Sequence, residues 1–287
     1  MELIMPGINQ ARDEGLEGLG TYHPEDQPKI AIEHGHRYNF FCAPDPISNQ
    51  EEAPGTIMPP GYFFTRLAAL SVAEGRIFEP GVDLVLNAPT SGDVSQTRLY
   101  YYWMLWEWTV EEFTINQSLN DKIFTTNIDG FIGSYSINDL VPYENNEGLI
   151  DVNLYNGIQD NWDERQILNN VQVNIPTEHA IAYANNADET DNLEVTQYFE
   201  NPESDVQIVV FGHNHRDTLI TTFAEDEKYI YANSGTWIDH PSYGDKTANF
   251  VVITPQDNSD AESKTVVKVY NYRNETITEE FSDSVRL

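Results

Sequence analysis

Two histidines follow directly on a short apolar run late in the chain. Ile208 to Phe211 is a run of four apolar residues, which predicts a buried strand that Gly212 brings to an end. His213 and His215 stand one residue apart in the turn that follows. Ligands of open α/β sheets bind just beyond the carboxyl ends of strands, so this turn is a predicted binding site. Neutral imidazoles at this spacing are able to face one metal site or two adjacent ones.

The same pattern occurs earlier in the chain. Lys29 to Ile32 is a short run that ends in Glu33, His34, Gly35 and His36. Two strands that both end in histidines predict that their carboxyl ends meet at one shared metal site. The ligands predicted for that site are His34, His213 and His215.

The acidic composition limits the partners of the chain. Its 287 residues are enough for one or two domains, and 15 basic residues face 47 acidic ones, for a formal net charge of −32. This balance argues against general nucleic-acid binding and against docking on anionic lipid. An anionic substrate would need a local cation such as a metal ion to hold it.

Compartment signals favour a cytoplasmic protein. Cys42 is the single cysteine, so an internal disulfide is not possible, which suits a reducing compartment. The sequence has no apolar run near the roughly 20 residues of a membrane span. Its start lacks the pattern of a signal peptide, unless the natural protein begins further upstream. The oligomeric state is not predicted.

Several helices and strands are predicted around the two histidine stretches. Pro59 and Pro60 begin a helix that runs to about Glu74, and a second, aromatic-rich helix covers about 97–113. A further helix is expected around His179, a lone histidine expected at the surface or in a structural role. Short helices are expected within 116–170. Strands are predicted at 228–237, 250–253 and 266–270, with an edge strand or frayed end after Glu275.

The aromatic helix has more than one interpretation. Its dense aromatic residues favour a buried face, since aromatic side chains dominate core surface. A substrate lid, a dimer face or another interaction surface remains an alternative.

Three ordered matches relate the chain to a known family. Gly212-His213-Asn214-His215 matches a Gly-His-x-His motif, 33–36 matches a strand that ends in His-Gly, and 231–237 is similar to the strand that follows Gly-His-x-His. In these features the chain resembles the calcineurin-like metallophosphoesterases. The resemblance implies an α/β fold, with a β-sandwich of two mixed sheets flanked by helices. It also implies two divalent metal ions bridged by an aspartate and a water.

The resemblance implies a role for each site residue. His34 and His213 would bind one metal and His215 the other, while His36 would line the substrate pocket. The implied activity is metal-dependent hydrolysis of a small-molecule phosphate mono- or diester, with Mn, Zn, Fe or Ni as the metal. Arg37 and Arg216 lie beside the histidines, where either would hold a phosphate oxygen or pair with a carboxylate.

The family's earlier motifs are missing from this sequence. Asp-x-His, Gly-Asp-x-x-Asp and Gly-Asn-His-Asp/Glu do not occur before or between the two histidine stretches, so catalytic residues are not identified. We therefore expect one incomplete metallophosphoesterase domain over 1–287, with a helical or loop insertion at 60–190. The chain is then a fragment of a longer protein or a naturally degenerate member of the family.

The missing carboxylates keep an alternative function open. Three histidines suffice for one metal ion, which would make the chain a metal-binding module without turnover. The sequence His213-Asn214-His215 also invites comparison with His-Asn-His nucleases. The net charge of −32 argues against that activity.

Overall fold

The computed structural model describes residues 20–54, 56–75, 92–128, 130–184, 192–193, 195–224, 226–237 and 247–287. The chain divides into two compact units. The first unit contains the described residues up to Asn39, together with Asn169–Ile175 and Ala182–Leu287. The second unit consists of Phe40–Leu168 and Pro176–Ile181, a region that includes most of the predicted insertion.

A mixed five-stranded sheet forms the larger sheet of the first unit. Its strands are β1 (Thr21–Tyr22), β2 (Ile30–Glu33), β7 (Ile208–Phe211), β8 (Asp217–Ala224) and β9 (Glu227–Ser234), in the order β1-β2-β7-β9-β8. Strands β2, β7 and β9 are parallel, whereas β1 and β8 run antiparallel to their neighbours at the two edges. The carboxyl ends of the three parallel strands therefore lie along one edge of the sheet.

The apolar sequence of β7 explains its central position. All four of its residues are buried, as expected for a parallel strand that is covered on both faces. Ile208 is in register with Ile30 on β2 and with Ile230 on β9. On the other face of β7, Phe211 packs against Tyr38 and Tyr231, with ring centroids 5.8 Å and 5.5 Å away.

A second sheet in the first unit is antiparallel. It consists of β10 (Asn249–Thr254), β11 (Thr265–Arg273) and β12 (Thr276–Val285), with β11 in the centre. Buried and partly buried residues alternate along most of β11, as is typical of a strand with one apolar face. Val267 and Val269 of this sheet share one apolar cluster with Ile208, Val210 and Ile230 of the larger sheet. Burial of these side chains holds the two sheets together.

The second unit combines helices with short hairpins. Its helices are α1 (Gly61–Ala73), α2 (Val94–Glu112), α3 (Trp162–Leu168) and most of α4 (Thr177–Tyr183). Its antiparallel pairs are β3 (Phe124–Ile128) with β4 (Phe131–Tyr135), and β5 (Tyr143–Glu144) with β6 (Ile150–Asp151). Helix α2 begins at Val94 because the Asp93 side chain accepts hydrogen bonds from the backbone N–H groups of Ser95 and Gln96.

Aromatic rings fill the core of the second unit. Phe63 of α1 packs edge-on against Phe124 and Phe131 of the hairpin. The inner face of α2 is also part of this core, since its Tyr102 and Trp106 are almost completely buried. The aromatic helix thus has the buried face that its composition favoured. Its opposite face exposes Trp108.

The mixed α/β class that the sequence predicts is confirmed, and several elements fall where they were expected. Helix α1, helix α4 and strands β7, β9, β10 and β11 all overlap their predicted ranges, and the acidic C-terminal stretch forms an edge strand, β12. The short helices expected within 116–170 are found as α3 and a 3-10 helix at Ile137–Asp139, whereas the two hairpins of that stretch were not predicted. Strand β8 was not predicted. Among the described residues, every helix is too short or too polar to cross a bilayer.

Candidate histidine site at the strand ends

Three histidine rings come together at the carboxyl ends of β2 and β7. His34 directly follows β2, and its ring centroid lies 5.2 Å from that of His36 and 5.2 Å from that of His213. His213 follows β7 after one glycine, and β7 is the parallel neighbour of β2. His215 lies near enough for its charge to affect both His34 and His213. These four residues are called the histidine cluster below.

Backbone hydrogen bonds fix the turn that carries His213. The Gly212 N–H donates to the backbone carbonyl of His34 over 3.2 Å, which joins the two strand ends. The Asn233 side-chain amide donates to the Gly212 carbonyl over 2.8 Å, and its own oxygen accepts the Gly235 N–H. A Cβ atom on residue 212 would lie 3.3 Å from His34 Nδ1, so glycine allows the imidazole to sit close over the turn.

A glycine is also required in the turn after β2. Gly35 has a φ of 91°, and a Cβ atom there would meet Cδ2 of Phe211 at 3.0 Å. Both the positive φ and the close approach disfavour any side chain. The turn then continues as a single 3-10 turn over His36–Tyr38.

Both histidines of the His213-Asn214-His215 motif adopt left-handed backbone conformations. Their φ angles are 69° and 63°, a region that residues other than glycine adopt uncommonly, although asparagine, aspartate and histidine enter it more often than most. Such a conformation costs about 1–2 kcal/mol for each residue. Asn214 between them is buried, and its side-chain oxygen accepts the backbone N–H of Arg216 over 3.1 Å. The fold therefore keeps two imidazoles at positions where glycine would relieve strain.

The rings of His34, His36 and His213 are held in their neutral form. Burial, the proximity of His34 and then the charge of Arg37 lower the pKa of His36 to about 4. Burial and the neighbouring histidines lower the pKa of His213 to about 3. Desolvation and the nearby His215 also lower the pKa of His34, against a smaller opposing effect of Glu33. Neutral imidazole is the form that binds metal ions.

One ring nitrogen in the cluster is buried without a partner. Within the described part of the chain, Nδ1 of His36 neither donates nor accepts a hydrogen bond. A buried polar atom without a partner is costly, and native proteins keep few of them. This nitrogen is therefore a candidate ligand atom.

A second polar network lies directly next to the cluster in sequence. The buried Glu33 carboxylate pairs with Nε of Arg37 at 2.8 Å and accepts the hydroxyl groups of Tyr38 and Tyr198 at 2.7 Å and 2.5 Å. Tyr198 comes from a single π-helical turn, Val195–Phe199. Burial opposes the charge on Arg37, but the Glu33 carboxylate outweighs it and raises the guanidinium pKa. Burial and Glu33 also raise the pKa of Tyr198 to about 12.

The structure corrects the role that the sequence suggested for Arg37. Instead of facing a phosphate, its guanidinium is buried and donates to Glu33, to Thr21 and to the backbone carbonyls of Asn169 and Asn170. The alternative, a salt bridge to a carboxylate, is what the structure shows. Arg216 is exposed beside His215, where its predicted contact with a phosphate stays a prediction.

The histidine cluster brings imidazoles together without forming a complete metal site. In the described residues, no group of three or more His, Cys, Asp or Glu side chains is arranged so that it could hold a metal ion. The cluster does offer neutral imidazoles close together, a donor type that suits transition metals. The nearest carboxylate, Glu33, is already bound by Arg37 and two tyrosines. The aspartate-bridged metal pair that the resemblance implies therefore has no bridging group among these residues.

Comparisons with known proteins add no relative. No protein-family model matches the chain, and neither a curated protein nor a solved structure is significantly similar to it. The residues and their geometry therefore carry the functional argument.

Sequence reasoning missed the residues that support the cluster. Tyr198 lies 165 positions from its partner Glu33, and nothing in the local sequence links the two. Asn233, which holds the Gly212 carbonyl, was part of a recognised strand, but its role was not predicted. A buried asparagine near the end of a parallel strand is the one signal that would have drawn attention to it.

Proposed function

We propose that the histidine cluster binds one divalent transition-metal ion and that the chain serves in hydrolysis of phosphate mono- or diesters. The observation that carries the proposal is the left-handed backbone of His213 and His215 beside neutral rings from the neighbouring strand. Strained backbone of this kind clusters at functional sites. We further propose that the two sheets of the first unit correspond to part of a metallophosphoesterase-type sandwich.

Each residue of the cluster has a defined part in this proposal. His34, His36 and His213 present neutral imidazoles, and the lowered pKa values keep protons from competing with the ion down to mildly acidic pH. His215 extends the donor set from the same turn. A bound ion would polarise a phosphate oxygen and lower the pKa of a bound water.

The acidic surface makes a local cation necessary for this chemistry. With a net charge of −32, the chain repels a phosphoester until positive charge is placed at the site. A metal ion supplies that charge, and the exposed Arg216 next to His215 adds a second cation at the same strand end. We propose that Arg216 contacts a phosphate oxygen of the substrate.

Metal binding is the first test. Chelator-treated protein is titrated with Mn²⁺ and with Zn²⁺ by calorimetry, and we expect one site per chain. His213→Ala should weaken binding at least about 100-fold, since loss even of outer-sphere partners costs about 10- to 100-fold. His179→Ala is the matched control because His179 is exposed on α4 and lies outside the cluster. Equal affinities in the two variants would contradict the proposed site.

Hydrolysis is the second test. Metal-loaded protein is incubated with bis(4-nitrophenyl) phosphate and 4-nitrophenyl phosphate, and release of 4-nitrophenolate is followed by absorbance. We expect turnover that the His213→Ala exchange abolishes and the His179→Ala exchange leaves unchanged. A chain that binds metal but remains inactive with every divalent ion would contradict the hydrolase proposal.

A second candidate function is a metal-binding module without turnover. One observation favours it: the carboxylate nearest the cluster, Glu33, is bound by Arg37, Tyr38 and Tyr198. No general base is then available from that side chain. One tight metal site together with complete absence of hydrolysis is the outcome expected for this candidate.

A further inference from the structure

A cleft of about 630 Å³ opens beside His34 in the first unit. Part of its lining is the strand-end edge of the larger sheet, including His34, Gly212 and Ser234. The rest is largely apolar and comes from both sheets, including Ile32 of β2 and Val251 of β10. The cleft thus shares His34 and the Gly212 turn with the histidine cluster.

The lining of the cleft favours an uncharged ligand group. Its described residues include no lysine or arginine, and the carboxylate of its one acidic residue, Glu33, is engaged by Arg37. Three aromatic residues also border it: Phe211, Phe250 and the largely exposed Trp237. Ligand pockets of about 300–1,000 Å³ with mainly apolar walls and a few polar groups are typical of small-molecule sites.

Aromatic lining residues narrow the class of group further. The rings of Phe250 and Phe211 do not face the interior of the cleft: Phe250 is stacked on Tyr270 with a centroid separation of 5.4 Å on the face of β10 opposite Val251, and Phe211 packs against Tyr38 and Tyr231. Trp237 follows directly after β9, next to the strand end that carries Ser234. Planar rings gain from offset or edge-on packing against other rings, beyond the burial of their area. The exposed ring of Trp237, together with the apolar side chains of Ile32 and Val251, therefore suits a flat apolar group better than a polar one.

We infer that this cleft holds an aromatic group of an organic phosphoester whose phosphate lies at the histidine cluster. The inference rests on the proposed hydrolase function and adds the class of substrate. In hydrolysis, a water oxygen bonds to phosphorus, the bond from phosphorus to the leaving oxygen breaks, and a proton passes to solvent. The aromatic group in the cleft is the one that stays on the phosphate.

The aromatic part of the inference is tested without metal. Chelator-treated protein carrying ¹³C-labelled Val and Ile methyl groups is titrated with benzyl alcohol, a neutral aromatic probe. We expect saturable shifts of the methyl signals of Val251 and Ile253, which line the cleft. The signals of Val252, which lies between them on β10 and is exposed, are the matched control. Shifts that are absent, or equal at all three residues, would overturn the inference.

The substrate part is tested with two diesters that share one leaving group. Metal-loaded protein is given bis(4-nitrophenyl) phosphate or methyl 4-nitrophenyl phosphate, and the ratio of their kcat/KM values is measured. We expect Trp237→Ala to reduce the preference for the diaryl ester about tenfold, the effect that a small change in an apolar pocket has on specificity. Trp108→Ala, at another exposed tryptophan on α2, should leave the ratio unchanged. Because each variant is compared with the parent, the intrinsic reactivity of the esters cancels.

The two experiments separate the inference from the proposed function. Methyl shifts without hydrolysis of either ester would overturn the hydrolase and support only an aromatic-binding cleft. Hydrolysis without methyl shifts would support the hydrolase and overturn the cleft. Hydrolysis with a ratio that Trp237→Ala does not change would also overturn the cleft as part of the substrate site.

Discussion

The histidine cluster of the first unit and a buried ion pair of the second unit are built in opposite ways. In the second unit, Arg165 is completely buried and lies 3.8 Å from the Asp45 carboxylate. It also donates to the backbone carbonyls of Phe40 and Ala43 over 2.8 Å. In the first unit, the rings of His34, His36 and His213 are kept neutral, the backbone is left-handed at His213, and Nδ1 of His36 is buried without a partner.

The difference separates polar groups that stabilise the fold from those that do not. Asp45 accepts the backbone N–H groups of Ile47 and Ser48, so its charge has partners besides Arg165. Desolvation lowers the pKa of Arg165, but the folded unit supplies a counter-charge and backbone partners to this pair. The histidine cluster gives up stability through backbone strain and desolvation, which is the pattern expected of a binding site. Burial of a charge alone is therefore a poor marker of function in this chain.

The largest effect is expected at the buried pair of the second unit. Arg165→Met keeps much of the side-chain volume but leaves Asp45 without its counter-charge and two carbonyls without their donor. We expect a loss of about 3–5 kcal/mol in the free energy of unfolding, the usual cost of breaking a buried ion pair. Urea unfolding followed by tryptophan fluorescence measures it, because four of the five tryptophans lie in the second unit.

The control for this change is an arginine that is only partly buried, with a side chain that is 19% exposed. Arg98 pairs at 2.8 Å with Glu178, whose side chain is 65% exposed, so Arg98→Met should cost no more than about 1 kcal/mol. Metal affinity at the histidine cluster should be the same in both variants, since neither residue belongs to the first unit. Similar losses of stability at the two arginines would remove the contrast between the clusters.

An intermediate effect is expected from acid on the metal-free histidine cluster. The unfolded chain has histidine pKa values near 6.5, whereas the folded chain has values of about 4 for His36 and about 3 for His213. Between pH 6.5 and about 4 the unfolded state therefore binds more protons, and stability falls as the pH falls. The contribution should be fully present above pH 6.5 and decline by about 2 kcal/mol for each ring by pH 5.

A double variant isolates this effect from the titration of the many carboxylates. His36→Asn with His213→Asn removes the two shifted rings, so its stability should fall less between pH 6.5 and 5 than that of the parent chain. His179→Asn serves as the control, because this exposed histidine lies outside the cluster. Parallel stability curves for parent and double variant, measured in the presence of a chelator, would argue against desolvated rings.

The elements that position the cluster were predictable because their signals are local. A run such as Ile208 to Phe211, followed by glycine, gives both the buried strand and its end. Strand β8 was missed because its alternation of threonine with apolar residues is weak and follows directly after the histidines. The hairpin of β3 and β4 was missed although Asp129-Gly130, a dipeptide typical of hairpin turns, stands between the strands.

Features of the cluster that depend on contacts between residues far apart in the chain could not be predicted from the sequence. That Arg37 pairs with Glu33 does not follow from their spacing, because that spacing brings side chains together in an α-helix and these residues lie in a strand and a 3-10 turn. Tyr198, which also binds the Glu33 carboxylate, lies in a π-helical turn far along the chain. Left-handed histidines were not predictable either, since His213 and His215 carry no glycine-like signal.

The smallest effect, and the one that reverses sign, is expected at the strained backbone. At φ 69° a histidine pays about 1–2 kcal/mol in conformational strain, whereas glycine loses only about 0.5–1 kcal/mol of backbone entropy. His213→Gly should therefore leave the metal-free chain as stable as the parent or up to about 1 kcal/mol more stable. His213→Ala keeps the strain and loses the ring, so it should be about 1 kcal/mol less stable than the glycine variant. Chemical denaturation in the presence of a chelator measures both.

His36 provides the matched comparison, because it belongs to the same cluster but lies in a 3-10 turn rather than in the left-handed region. There the order should invert, with glycine about 0.5–1 kcal/mol less stable than alanine. Metal uptake should weaken in all four variants, so a gain in stability at His213 would come with a loss of binding. If the glycine variant were less stable than the alanine variant at both positions, the left-handed backbone at His213 would not be a strained one. The case for a side chain kept there for its imidazole would then rest on the ring contacts alone.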